Sequence, residues 1–111
     1  MKQLMLISGT SVPEVVTKKI NGATFKIVPY VISDNNGNYE WTEILVRPSG
    51  YTYEGLVKAI INIHYTPDEM FAVMNNYLLD PENEKYKDEF IAMQNVRKSA
   101  KEYAKNHFNI D

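Results

Sequence analysis

The chain predicts an α+β fold: a small antiparallel sheet of three or four strands followed by a three-helix C-terminal region. Three observations lead there. Residues 1–50 are rich in Val, Ile, Thr and aromatics, with Asn-Gly punctuation. Pro48-Ser49-Gly50 then breaks the chain. Residues 51–111 carry apolar side chains at helical spacing, with capping residues ahead of the runs. At 111 residues the chain suits a single domain, 1–111, with a β-rich half and a helical half.

In the β-rich half, Glu14 to Ile20 and Ala23 to Ile32 flank Asn21-Gly22, a dipeptide suited to a type I′ hairpin turn. The polar stretch from Ser33 to Asn38 reads as a loop ending the second strand. Tyr39 to Arg47 forms the third strand, with Tyr39, Trp41, Glu43 and Leu45 on one face and Glu40, Thr42, Ile44 and Val46 on the other. Pro29 lacks an N–H, so its strand is expected at an edge or bulged there. Residues 3–8 offer a short fourth strand.

Neither face of the second strand is polar: Phe25, Ile27 and Val31 share one, and Val28, Tyr30 and Ile32 the other. A sheet with one wet side should alternate. Either helices cover one face and loops part of the other, or the second face meets another chain.

In the helical half, Tyr53, Leu56, Val57, Ile60, Ile61 and His64 predict a helix over 52–64. Thr66-Pro67-Asp68-Glu69 reads as a capping box with proline at the first helical position. The helix that follows is expected to bury Met70, Phe71, Val73, Met74, Tyr77 and Leu78. Asp80-Pro81-Glu82 reads as the start of a longer helix to about Asn106, striped by Tyr86, Phe90, Met93, Val96 or Arg97, Ala100, and Tyr103 or Ala104. Its acidic first turns and basic last turns suit the helix dipole.

Composition narrows the chemistry. Twelve basic against fourteen acidic side chains leave a net charge of −2, which disfavours binding nucleic acid through a broad basic surface. No cysteine is present, so disulfides, zinc ribbons and thiol catalysis drop out together. The five serines sit in no nucleophile elbow, and the only bases to pair with them are His64 and His107. The Asp34–Asn38 run lacks the Gly and Glu that a calcium loop needs at its sixth and twelfth positions. The five glycines form no phosphate cradle. The reading is of a non-enzymatic chain with no catalytic, cofactor-binding or metal-binding residues and no cofactor.

No segment reaches the length of a membrane span, and the apolar run at Leu4–Ile7 is too short for a secretory signal. The expectation is a protein that keeps clear of membranes and is not exported by a signal peptide. The junction at Tyr65-Thr66 has the outline of a helix-turn-helix. Asp68 and Glu69, however, would point two carboxylates at the phosphates.

What remains is an excess of aromatics: eight tyrosines, four phenylalanines and one tryptophan. Tyr30, Tyr39, Trp41, Tyr51 and Tyr53 concentrate around the sheet and its exit. They suit either a protein interface or a bridge between sheet and helices within one chain. Tyr30, Tyr39 and Trp41 are the interface candidates.

The stretch Tyr53-Glu54-Gly55-Leu56-Val57-Lys58-Ala59-Ile60-Ile61, then Tyr65 to Met70 and Asn75-Asn76-Tyr77-Leu78, resembles small structural-module proteins of tailed phages and prophages of gut bacteria. Glu89-Phe90, Met93-Gln94, Arg97 and Ala100-Lys101 extend the likeness across residues 51–105. It implies a virion or virion-assembly component, in the virion or the host cytoplasm. Other virion or assembly proteins would be its partners, and a homo-oligomer is compatible. The alternative is a small nucleic-acid-associated or host-modulating regulator using Arg97, Lys98 and Lys101.

Overall fold

In the computed structural model, residues 5–110 are described. Four strands, β1 (Ile7–Gly9), β2 (Val16–Ile20), β3 (Ala23–Asn35) and β4 (Asn38–Val46), form one antiparallel sheet in the order β1-β4-β3-β2. A 3-10 turn at Pro48–Gly50 leads into α1 (Tyr53–His64), α2 (Pro67–Leu79) and α3 (Glu84–His107). The α+β architecture is the expected one.

Both hairpins turn on Asn-Gly. Asn21 and Gly22 have φ of 51° and 81°, and Asn36 and Gly37 have φ of 53° and 86°. Positive φ at both central residues defines the type I′ geometry, whose twist matches that of the flanking strands. The stretch 33–38 is therefore no open loop. Strand pairing runs out to Asn35↔Asn38 across a two-residue turn, because polar side chains can extend a ladder wherever neither face needs burial. One irregularity interrupts it: the register shifts between Val31 and Ser33, which leaves Ile32 as an extra residue, 41% exposed. Ile32 still lines a depression beside Tyr30 and His64, on the side it was expected to share with Val28 and Tyr30.

Pro29 pairs with Glu43 on β4, while the β2 ladder ends at Val16↔Ile27. The proline therefore sits where the other side of β3 has no partner strand, a local edge within a central strand. Its carbonyl accepts a 2.6 Å hydrogen bond from the Tyr103 hydroxyl. The fourth strand, β1, is later and shorter than residues 3–8; positions 3 and 4 lie outside the described residues.

Register assigns the faces. Val28, Tyr30, Thr42, Ile44 and Val46 share the inner face, and Val28, Ile44 and Val46 join Leu56, Ile60, Ala100 and Ala104 in the core. Leu56 and Ile60 are fully buried, each contributing about 1.5–3 kcal/mol of apolar burial. Ala100 and Ala104 let α3 approach closely. Gly55 does the same for the 3-10 turn, since a Cβ there would run into the Gly50 carbonyl.

The helix starts are set locally. Thr52 accepts from the Gly55 N–H at 3.1 Å. Thr66 and Glu69 form the reciprocal capping box at 3.1 and 2.9 Å. The third helix differs from expectation. Asp80 closes α2, and Asn83 is the N-cap of α3, its side chain accepting from the Tyr86 N–H at 3.2 Å. An Asx cap three residues further on supersedes the Asp80-Pro81 signal.

The second helix departs furthest from its expected role. No residue of α2 is buried, and Phe71, Met74 and Leu78 are exposed. Its aromatic anchor is Tyr77, stacked on Phe90 of α3 with ring centroids 4.4 Å apart. No described helix is long and apolar enough to cross a membrane.

Candidate functional site

The three aromatic candidates do not come together. Tyr30 points inward from β3: its ring meets Tyr103 edge-on at 4.8 Å and His64 at 6.5 Å. Tyr51 hydrogen-bonds His107 Nε2 at 2.7 Å and packs on Phe108 at 5.1 Å. These side chains, with Tyr53, pack against the core and bridge sheet to helices within one chain. Burial pushes the Tyr30 and Tyr103 hydroxyls up from their usual range.

Tyr39 and Trp41 lie on the opposite face. Tyr39 is half-buried at the sheet's end, lining a polar depression of about 420 Å³ with Ser8, Ser33 and Asn38. Trp41 is only 6% exposed, and a Cβ on Gly9 would stand 3.0 Å from its ring. The indole is thus occupied within its own chain and leaves little surface for a partner. The close approach of a cross-strand glycine has no signature in strand alternation.

Neither histidine contacts a serine by hydrogen bond among the described residues. His64 lines an open depression of about 250 Å³ with Tyr30, Asn95 and Ser99, and its Nδ1 is buried without a hydrogen-bond partner. Burial lowers the pKa of both His64 and His107 below the usual 6.5, since desolvation disfavours the charged ring. No cluster of three or more potential metal ligands occurs among the described residues.

The site that the geometry does build is the outer face of the sheet. Ile7, Val16, Phe25, Ile27 and Leu45 share it with Lys18, Glu43 and Arg47. The elements packed on the core lie on the inner side. Leu45 is 46% exposed, Val16 51% and Ile7 37%. Phe25 is half-buried beneath the Arg47 guanidinium, which sits 4.9 Å over its ring. The face thus presents an apolar centre with charges of both signs around it. The lack of a polar face on the second strand, with Phe25 and Ile27 on one side and Val28 and Tyr30 on the other, held the signal for this face. What it could not give was that no helix among the described residues would cover it.

No protein-family model matches the chain, and neither a curated protein nor a solved structure matches it.

Proposed function

We propose that the protein is a non-enzymatic assembly module that pairs through the outer face of its sheet, with a second copy of itself as the occupant. The observation carrying this reading is the exposure of Val16 and Leu45 on an apolar sheet face opposite the core. Contiguous exposed apolar surface favours association. Charge favours self-pairing in particular. Lys18 and Arg47 lie at the Phe25 end of this face and Glu43 at the Pro29 end, so a twofold arrangement that reverses the strands can set the carboxylate of one copy against a cation of the other.

The resemblance of residues 51–105 to phage and prophage structural modules supports a phage particle or its assembly as the setting. Other virion or assembly proteins are then the wider partners, in the virion or the host cytoplasm. Light scattering at two protein concentrations tests the reading. The wild type is expected at a multiple of its 12.8 kDa chain mass, and Val16→Lys/Leu45→Lys at one chain mass with an unchanged circular dichroism spectrum. A wild type that stays at one chain mass, or a variant that associates as before, contradicts it.

A further inference from the structure

The helical side carries a second apolar surface of different character. Two adjoining depressions of about 330 and 390 Å³ share Ile61, Pro67 and Met70. The first continues along α1 through Val57 to Tyr53; the second opens along α2 past Phe71 and Met74. From Tyr53 to Ile61 the groove follows about 12 Å of helix axis, a little over two turns.

Phe71 is 65% exposed at its edge and Met74 37%. Methionines beside an exposed aromatic make an adaptable apolar lining. Met70, Phe71 and Met74 of α2 thus form one wall of an open groove rather than part of the core.

The rim is cationic. Lys58 and Lys101 line one depression and Arg97 the other, against a single carboxylate at Glu54. None of the three cations makes an ion pair among the described residues. The helical half holds ten acidic side chains against seven basic, so three of its seven cations on one groove are a local reversal of its charge.

The geometry points to this groove as the docking site for an acidic amphipathic helix of a partner protein. Apolar residues at i, i+3, i+4 and i+7 of that helix seat on Val57, Ile61, Met70 and Phe71, and its carboxylates reach Lys58, Arg97 and Lys101. A basic or neutral helix would leave the cations unanswered. The site lies on the helices, apart from the outer sheet face, so it stands whether or not the chain self-associates.

The probe is a fluorescently labelled synthetic peptide of about 14 residues, roughly four turns, with leucines at those positions and glutamates elsewhere. Its anisotropy is followed with the full chain at low and high salt. Saturable binding is expected. Phe71→Ala should weaken it by about tenfold or more, as an interface anchor does, and Lys58→Glu/Lys101→Glu should do likewise. All three side chains are exposed, so the fold should survive, as circular dichroism would confirm. Several outcomes overturn the inference. These are no binding of the acidic peptide, equal binding of its scrambled or lysine-substituted forms, and variants that bind as the wild type does. Displacement of the peptide by a single-stranded DNA oligonucleotide that binds more tightly would make the rim a polyanion site. Collapse of an oligomer to one chain mass in Phe71→Ala would make a second copy the occupant.

Discussion

Ile44 and Leu45 are neighbours on β4 with opposite fates. Ile44 is 2% exposed beneath α1 and α3, and Leu45 is 46% exposed on the outer face. Both faces of the sheet are apolar, so composition does not distinguish them. The difference comes from the helices, which are amphipathic and can cover only one side. The lesson is that an apolar strand face records a need for cover without recording what supplies it.

The largest expected effect comes from the exception to this division. Trp41 is on the outer face yet buried against Gly9. Trp41→Ala should destabilise the chain by about 3–5 kcal/mol, as removal of a buried aromatic does. A loss below about 1 kcal/mol in urea unfolding would mean that the indole is not part of the fold.

Next comes the direct contrast across β4. Ile44→Ala should cost about 2–5 kcal/mol, whereas Leu45→Ala in the dissociated chain should stay within about 0.5 kcal/mol of the wild type. Equal losses would erase the distinction between the faces. A smaller loss, about 1 kcal/mol, is expected for Thr66→Ala, which removes one half of the capping box of α2. Urea unfolding that is insensitive to this change would show that α2 contributes nothing to the cooperative unit.

The smallest effect is pH-dependent and belongs to the inner side. Burial lowers the folded-state pKa of His64 and His107, so below 6.5 the unfolded chain holds more protons at these rings than the folded one. Their contribution is complete above about pH 6.5 and is lost as pH falls through the folded-state values. The urea midpoint should decline below pH 6.5, and His64→Asn/His107→Asn should flatten that part of the profile. A variant with an unchanged slope would place the dependence elsewhere.

Much of the fold was legible because its determinants are local. The Asn21-Gly22 turn, the Thr66–Glu69 box and the stripe around Leu56 and Ile60 each act over a few residues. Asn36-Gly37 is the same kind of signal, obscured by the polar residues around it. The start of α3 moved because two Asx residues competed, and Asn83 has the bond to Tyr86.

The candidate sites were less legible, since exposure is a tertiary property. Tyr30 and Tyr51 have the aromatic character of interface residues, but α3 brings Tyr103 and His107 to them. Phe71, Met74 and Leu78 fit a buried stripe until the position of α2 leaves them open. Leu45 and Val16 are ordinary strand residues, and only the side on which the helices land gives them a role.

The absence of cysteine from the chain allows a direct measurement of the outer face. A single Leu45→Cys substitution places a small apolar thiol at its centre, and the rate of maleimide labelling reports access to it. The account predicts labelling that slows as protein concentration rises, and fast labelling at every concentration once Val16→Lys is added. A rate that is the same at all concentrations, and equal to that of an exposed thiol, would contradict it: the outer face would then be open to water rather than paired with a second copy.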